Sequence, residues 1–363
     1  MKNLRVLLLY PPEQTWPSMM CKPNGSLAYP SLAGSLLEIG IDTRIYDACV
    51  GNDKDDINEA FFNSGTPLPT GMIRTGVTND RILKEVNDYD IIGITSIFTH
   101  QETMVLETAK LIKKAFKEAE MTFRSLVLAI QSKKTKNEIA NEIKFLLMKD
   151  ENGKIINTGR GKVIIDLDKI APPAWQLLPN ERYWKIGRPH GGLFEEGTEL
   201  KYASMVTSMG CPFSCSYCHI SSETINSIAG PIGAFRIKSD KRVLQEIDML
   251  KSLGVKQIFI EDDSIFGKKR RAIGLLNKIR DNDLQILDVN GVNIIHLLKK
   301  GKPDYEVLDT LKNAGFSEIV LPFESASPRI IRKYASNKWS IERSDVTALI
   351  KACKDYGFRI AGR

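Results

Sequence analysis

Three cysteines lie close together in the middle of the chain, in the segment Cys211-Pro-Phe-Ser-Cys215-Ser-Tyr-Cys218. Half of the six cysteines fall in these eight residues, which favours metal binding or catalysis over a disulfide framework. Three thiolates can hold three irons of a cubane cluster and leave the fourth iron open. An open metal position is a place where a substrate can bind. The spacing therefore predicts a redox-active [4Fe–4S] cluster on Cys211, Cys215 and Cys218.

Two alternatives remain for these thiols: a structural zinc site with His219 as the fourth ligand, and a cluster of solvent-reactive thiols. Zinc sites usually combine two cysteine pairs some distance apart, and no second pair follows here. The other three cysteines, Cys21, Cys49 and Cys353, are scattered along the sequence. Each of them is interpreted as an ordinary small hydrophobic residue.

The cysteine segment must be positioned by the elements around it, which read as repeated strand–helix units. Strands are predicted at 205–208, 256–260, 286–289, 318–323 and 358–361, and helices at 240–253, 269–279, 304–314 and 341–356. Such units form a full or partial TIM-type barrel whose active site lies at the carboxyl ends of the strands. The sequence stops at Arg363, inside or just after a strand, so we expect this C-terminal domain to be incomplete.

An earlier series of strands and helices precedes the cysteines and predicts a doubly wound, Rossmann-like α/β domain. Its strands are predicted at 4–9, 43–46, 91–95 and 126–130, and its helices at 31–39, 101–117 and 137–148. Regular signals then fade, apart from a predicted strand at 163–166. The predicted organisation is a domain at 1–150, a linker at 151–200 and the cysteine-containing core at 201–363.

The cysteines, with the aromatic Tyr217 before the last of them, resemble the CxxxCxφC signature of the radical S-adenosylmethionine (SAM) superfamily. The resemblance implies that the open iron binds the amine and carboxylate of SAM, and that an electron from the cluster cleaves SAM to a 5′-deoxyadenosyl radical. It also implies that Tyr217 contacts the adenine and that the acidic strand end Glu261-Asp262-Asp263 contacts the methionine amino group. Glu324 and Ser325, in an element similar to E-x-G-S, would contact the ribose or the carboxylate. Asn290 and Asn293 are further candidates.

Each of these residues also has a plainer interpretation. Tyr217 would be a packing aromatic, and the carboxylates that follow the second strand would be solvated loop residues. Asn290 and Asn293 would serve turns or helix caps. In the E-x-G-S-like element, Ala326 stands where glycine is more typical.

The first domain resembles the cobalamin-binding subgroup of the same superfamily. The similar segments are RVLLLYPP (5–12), YPSLAG (29–34), DIIGIT (90–95) and PPAWQLLP (172–179). The resemblance implies a cobalamin over the carboxyl ends of the strands and a C-methyltransferase that uses two SAM molecules per turnover. The loop 13–24 has no histidine, so the D-x-H-x-x-G element is absent, and the expected glycine pair after residue 130 is missing. The domain is therefore expected to be shortened there, and His100 is a candidate for its upper face.

Composition and charge bear on which other classes of function are expected. The net charge of +7 comes from 51 basic and 44 acidic residues without long runs, so nucleic-acid binding is not expected. Apolar stretches are too short to span a bilayer, and a cytoplasmic location is expected.

The expected partners are a small organic substrate and an electron donor such as flavodoxin or ferredoxin. The alternatives to a methyltransferase are a radical cyclase or rearrangement enzyme without cobalamin, and an inactive partial chain that only binds the cluster.

Overall fold

The structure is a computed structural model that describes residues 4–23, 25–95, 101–115, 123–144, 147–149, 152, 154–159, 164–189, 200–222, 233–280, 283–335 and 338–362. The chain divides into two compact units. The N-terminal unit comprises Met1–Gly161 and Ala171–His190, and the C-terminal unit comprises Lys162–Ile170 and Gly191–Arg363. Both are mixed α/β structures.

A parallel sheet of strand order β3-β1-β6 lies at the centre of the N-terminal unit. The central strand is buried from Val6 to Tyr10, and its side chains alternate between two cores, with Val6 and Leu8 in one and Leu7 and Leu9 in the other. The strands of this unit are β1 (Arg5–Tyr10), β2 (Glu13–Thr15), β3 (Asp42–Asp47), β4 (Thr66–Pro67), β5 (Ile73–Thr75), β6 (Ile91–Ile94), β7 (Leu147–Lys149) and β8 (Ile155–Asn157). Its helices are α1 (Ala28–Leu37), α2 (Asn79–Val86), α3 (Glu102–Ala115), α4 (Phe123–Gln131), α5 (Lys136–Glu142) and α6 (Asn180–Ile186).

The segment 171–189 returns to the N-terminal unit after residues 162–170. The Ala174 amide donates to the carbonyl of Pro30 at 2.7 Å. A Cβ on Gly34 would lie 1.9 Å from the Pro172 carbonyl oxygen, so helix α1 approaches this segment at a position where only glycine fits. The Arg182 guanidinium donates to three carbonyl oxygens, those of Val50, Asn52 and Asp55.

The predicted strand at 126–130 is wrong, because these residues lie in helix α4. Leu126, Val127 and Ala129 are buried, and a short apolar run of this kind fits a helix face as well as a strand. The predicted helix at 137–148 is also shorter than expected. A capping box of Thr135 and Glu138 starts α5, and strands β7 and β8 then form an antiparallel pair.

Five parallel strands of the C-terminal unit follow one another in chain order. They form sheets of order β9-β12-β13 and β16-β17, and a parallel bridge between Ile286 and Phe316 connects the two. The described residues contain no closed barrel. The strands are β9 (Tyr202–Met205), β10 (Ser208–Met209), β11 (Arg236–Ile237), β12 (Gln257–Ile260), β13 (Gln285–Asp288), β14 (Leu298–Lys299), β15 (Lys302–Pro303), β16 (Glu318–Leu321) and β17 (Arg359–Gly362). The helices are α7 (His219–Ser222), α8 (Asp240–Ser252), α9 (Lys269–Ile279), α10 (Tyr305–Asn313), α11 (Pro328–Tyr334) and α12 (Val346–Asp355).

Two predicted elements of this unit differ in their bounds. The first strand, predicted at 205–208, begins at Tyr202, and Ser208–Met209 forms a separate antiparallel pair with β11. The helix predicted at 341–356 begins only at Val346, because Asp345 caps it by accepting from the Ala348 amide at 2.9 Å. The residues 164–166 of the predicted strand at 163–166 form no strand.

A buried ion cluster fixes the start of helix α8. Glu246 is fully buried and accepts from Lys238 at 2.5 Å and from Arg242 at 2.6 Å. Burial lowers the pKa of Lys238, while the charge of Glu246 acts in the opposite direction. Arg242 also donates to the Ile170 carbonyl at 2.7 Å, which ties the short segment 162–170 to this unit.

Candidate functional site

The cysteine loop, defined here as residues 210–218, follows strands β9 and β10. Cys215 is buried, whereas Cys211 and Cys218 are half-buried. The Cys218 amide donates to the Cys215 carbonyl at 3.1 Å, which forms a tight turn between the last two cysteines. The Ser216 amide donates to the Tyr334 carbonyl at 3.0 Å. The loop is thus held both by its own turn and by the end of helix α11.

Gly210 sets the direction in which the loop leaves β10. Its φ is +78°, in the region that favours glycine. A Cβ at this position would lie 2.4 Å from the carbonyl oxygens of Gly233 and Ala234. The Gly210 amide donates to the Asp263 carboxylate at 2.8 Å, and the next amide, that of Cys211, donates to the Gly233 carbonyl at 3.1 Å. The first cysteine is therefore fixed by backbone contacts on both sides.

Asp262 lies directly after strand β12 and is almost fully buried, with 1% of its surface exposed. Its carboxylate accepts from the Thr207 amide at 2.6 Å, from the Thr207 hydroxyl at 2.7 Å and from the Ser208 hydroxyl at 2.6 Å. Burial raises the pKa of Asp262, and the hydrogen bonds from Ser208 and Thr207 oppose that shift. Asp262 thus anchors the strand end that leads into the cysteine loop. Its contact with the methionine amino group stays a prediction.

Tyr217 and Glu324 meet at the carboxyl end of strand β16. Tyr217 is half-exposed, and its pKa is raised by burial, by the charge of Cys215 and by the hydrogen bond to Glu324. Glu324 has a φ of +64°, which is uncommon for a residue with a side chain, and it forms an ion pair with Lys338. Ser325 accepts from the Ser327 amide at 3.0 Å. The structure therefore brings Tyr217 and the E-x-G-S-like element together, although their cofactor contacts stay predictions.

The two asparagines after strand β13 occupy local structural positions. Asn290 donates its side-chain amide to the backbone carbonyl of Asp262 at 3.1 Å. Asn293 is 7% exposed, and its side-chain oxygen accepts from the Ile295 amide at 3.4 Å at the start of the 3₁₀ turn Ile294–Leu297. These contacts match the turn and capping interpretation. A contact between Asn293 and the cofactor stays a prediction.

The donor set at the cysteine loop suits a multi-iron cluster better than a single zinc ion. Each thiolate of a cubane binds a different iron, so cluster ligands lie farther apart than ligands of one ion. Within the described ranges, the only group of three ligand atoms all within 4.8 Å is Glu13, Cys21 and Cys49. His219 and the loop cysteines therefore do not converge as ligands of one ion. Burial and the charge of Asp263 raise the pKa of Cys211.

Sequence reasoning missed several residues that support the loop. Arg271 on α9 donates to the Thr207 hydroxyl at 3.0 Å. His296 lies with its ring centroid 5.6 Å from that of Phe213, inside the cysteine loop, and 6.1 Å from that of Phe266. Burial and the charge of Lys269 lower the pKa of His296 to about 4. These side chains come from distant positions, and no local pattern in the sequence marks them.

Comparison with known families identifies the region around this loop. Residues 205–362 match the family model of the radical SAM superfamily. The part of the chain from residue 205 to residue 362 is therefore a radical SAM domain. Radical SAM enzymes use a [4Fe–4S] cluster and SAM, and both cofactors follow from the presence of this domain. The matched residues begin at Met205 and include the whole cysteine loop and strands β10 to β17.

Two curated proteins are similar to this chain in sequence. An uncharacterized methyltransferase of Pyrococcus horikoshii is 25% identical over the whole chain, which covers 74% of that protein. The anaerobic magnesium-protoporphyrin IX monomethyl ester cyclase of Rubrivivax gelatinosus is 25% identical over 89% of the chain, which covers 56% of that enzyme.

Solved structures with a similar fold include the radical SAM methyltransferase TsrM from Kitasatospora setae. One structure, with tryptophan and the SAM analogue aza-SAM bound, has a TM-score of 0.60 and 15% identity. The match covers 99% of this chain and 67% of that one. A second TsrM structure, with cobalamin and a [4Fe–4S] cluster bound, has a TM-score of 0.60, 14% identity and coverage of 99% and 66%. The likeness extends beyond the region that the family model matches.

The N-terminal unit has some of the features that suit cobalamin and lacks others. The described part of the loop after β1 contains no imidazole, and its metal-binding side chains are those of Glu13 and Cys21. The first three parallel strands are present, whereas the expected fourth strand is helix α4. His100, the candidate for the upper face, lies outside the described residues. The chain thus offers a sheet edge of the expected type but no imidazole ligand for cobalt on that loop.

Proposed function

We propose that this chain is a radical SAM methyltransferase that holds a [4Fe–4S] cluster on Cys211, Cys215 and Cys218. The supporting observation is the cysteine loop, fixed at the carboxyl end of the first strand by Asp262 and by the tight contacts of Gly210. When bound, the cluster supplies the electron that cleaves SAM to methionine and a 5′-deoxyadenosyl radical. The name of the Pyrococcus relative supports methyl transfer as the outcome.

The chain's own residues bind and orient SAM at this loop. Tyr217 packs against the adenine, and its hydroxyl is positioned by Glu324. Glu324 and Ser325 contact the ribose or the carboxylate, and Glu324, whose φ is +64°, also forms an ion pair with Lys338. Exposed Asp263 contacts the methionine amino group. Asp262 and Asn293 stabilise the neighbouring backbone by accepting hydrogen bonds from the amides of Thr207 and Ile295.

Cobalamin is the second proposed cofactor, bound at the carboxyl ends of β1, β3 and β6. Ligands of open parallel sheets bind at this edge. The four segments that resemble the cobalamin-binding subgroup and the likeness to TsrM over 99% of the chain support the assignment. Since the loop after β1 offers no imidazole, the cobalt is not held by a histidine of that loop. The substrate is a small organic molecule whose carbon accepts the methyl group, and a flavodoxin or ferredoxin supplies the electron.

Anaerobic reconstitution tests the cluster. We expect about four irons per chain, together with cleavage of SAM to 5′-deoxyadenosine in the presence of a strong reductant. Cys215→Ala should lose both, because two thiolates cannot hold the cluster. The matched control is Cys353→Ala, which alters a buried cysteine outside the loop and should retain both. Zinc in place of iron, or unchanged SAM cleavage by Cys215→Ala, would contradict the proposal.

Incubation with hydroxocobalamin tests the second cofactor. A corrinoid spectrum that remains with the protein after gel filtration supports the methyltransferase. A cyclase or rearrangement enzyme is the second candidate, and the similarity to the Rubrivivax cyclase favours it. Cleavage of SAM without any retained corrinoid would move the assignment to that second candidate.

A further inference from the structure

Three potential metal ligands converge in the N-terminal unit, far in sequence from the cysteine loop. The Sγ of Cys21 lies 2.8 Å from the Glu13 carboxylate and 3.5 Å from the Sγ of Cys49. All three ligand atoms lie within 4.8 Å of one another. Glu13 lies in strand β2, Cys21 lies in the loop that follows β2, and Cys49 lies in the turn that follows β3. Because Cys21 and Cys49 are far apart in the sequence, each is interpreted from the sequence as an ordinary hydrophobic residue.

The surroundings concentrate negative charge. Cys21 and Cys49 are buried, and Glu13 is half-buried. Asp47, which is 4% exposed, accepts from the Cys49 amide at 2.8 Å and from the Tyr183 hydroxyl at 2.6 Å. Two carboxylates therefore lie beside two thiols in a buried region, and both carboxylates would attract a cation bound to the sulfurs.

Arg74 interacts electrostatically with Cys49 but is committed elsewhere. Its guanidinium donates to the carbonyls of Gly76 at 3.2 Å and Val77 at 2.7 Å. These bonds direct the guanidinium to backbone carbonyls and not to the sulfurs.

The backbone that carries Cys49 is held firmly. Gly76 has a φ of +138°, and a Cβ there would lie 2.5 Å from the Ala48 carbonyl oxygen and 3.2 Å from the Cα of Cys49. The Val77 amide donates to the same carbonyl at 2.8 Å. Only glycine allows this approach, so Cys49 is presented by a rigid turn. Preorganised ligands of this kind are typical of metal sites supported by outer hydrogen bonds.

We propose that Glu13, Cys21 and Cys49 bind one thiophilic divalent cation, zinc by preference. Thiolates select zinc over magnesium or calcium, and two thiolates with one carboxylate supply three of its four usual ligands. The fourth position stays open to water or to a small ligand. Binding releases the two thiol protons, because only thiolates bind the metal. The site is independent of the cluster, and it lies in the segments that follow β1 and β3, at the sheet edge where cobalamin is proposed to bind.

Elemental analysis of the full chain tests this site. After anaerobic cluster reconstitution, addition of zinc and removal of the excess, we expect about one zinc beside about four irons per chain. X-ray absorption at the zinc edge should give two sulfur ligands at about 2.3 Å and oxygen ligands at about 2.0–2.2 Å.

Variants separate the site from the cluster. Cys21→Ser and Cys49→Ser should lose the zinc but keep the irons, which also shows that these chains fold. Glu13→Gln should retain zinc with an affinity at least about tenfold weaker, since even an outer-shell partner is worth that much. Cys353→Ala is the matched control and should retain both metals.

Three results would overturn the assignment. One is the absence of zinc from the wild-type chain. Another is unchanged zinc in both serine variants. The third is a Cys21–Cys49 disulfide in the anaerobically prepared chain, detected as resistance of both thiols to alkylation until reduction.

Discussion

Adjacent carboxylates after strand β12 serve the cysteine loop in different ways. Asp262 is buried and accepts three hydrogen bonds from Thr207 and Ser208, whereas exposed Asp263 accepts one from Gly210. The sequence shows only an acidic strand end and predicts the same cofactor contact for both. Burial, which decides their difference, depends on residues of β10 and α9 that local reasoning does not bring together.

Asp262→Ala leaves three buried donors without an acceptor. We expect it to lower the free energy of unfolding of the chain by about 2–4 kcal/mol and to reduce the iron content after reconstitution. Asp263→Ala, the matched control one residue away, should cost about 1 kcal/mol or less. Urea unfolding and iron analysis measure both effects. An equal loss of stability in the two variants would argue against an anchoring role for Asp262.

His296 makes stability depend on pH. Its folded-state pKa of about 4 lies below the ordinary 6.5, because burial and Lys269 disfavour the charged ring. As the pH falls from 6.5 to 4, the His296 ring therefore becomes protonated in the unfolded chain but stays neutral in the folded chain. The stabilisation is complete above pH 6.5, and up to about 3 kcal/mol of it is lost by pH 4.

His296→Gln should remove this contribution. We expect the variant to lose less stability than the wild type between pH 7 and pH 4.5 when the metal-free chain is unfolded in urea. His219→Gln, at an exposed histidine, is the control and should keep the wild-type dependence. Parallel pH curves for wild type and His296→Gln would refute the assignment.

At the scale of elements, amphipathic helices and buried strands could be predicted well from sequence. Helix α9 (Lys269–Ile279) has the predicted bounds, and β1, β3 and β6 lie within a few residues of theirs. The failure at 126–130 arises because an isolated apolar run does not distinguish a helix face from a strand. Short antiparallel strands such as β2, β4 and β5 depend on tertiary pairing and have no periodic signal.

Gly210 offers a test of how the loop is positioned. Gly210→Ala adds a Cβ that meets two carbonyl oxygens at 2.4 Å, in addition to the cost of a positive φ. Gly254→Ala is a matched control, since its φ is +87° and nothing lies within 4 Å of the added Cβ. We expect Gly254→Ala to cost about 1 kcal/mol, and Gly210→Ala to cost more and to impair cluster assembly. Normal iron incorporation in Gly210→Ala would contradict this role.

At the scale of the whole molecule, net charge bears on the electron donor. The chain carries +7, and none of its described helices is long and apolar enough to cross a membrane. An acidic donor such as flavodoxin should therefore associate faster at low ionic strength. Stopped-flow reduction of the cluster should slow severalfold between about 0.05 and 0.5 M salt, where the Debye length falls from above 10 Å toward 3 Å. A rate independent of salt would exclude electrostatic steering.

Division into units was harder to predict than the elements. Sequence signals fade over 151–200, so this stretch reads as one linker. In the structure, residues 162–170 belong with the C-terminal unit through Arg242 and Ser239, and residues 171–190 belong with the N-terminal unit. Each of these contacts is a single hydrogen bond between a side chain and a backbone carbonyl or amide. Such contacts produce no periodic pattern of hydrophobic residues in the sequence.

The return of residues 171–190 affects how such enzymes can be recombined. Arg182 caps three carbonyls of the turn after β3, and Pro172 occupies the space that Gly34 leaves on α1. A hybrid that joins residues 1–161 of this chain to the core of another enzyme at one splice point would separate these partners. A functional graft must carry both pieces together, so the N-terminal unit is exchanged as two segments and not as one cassette.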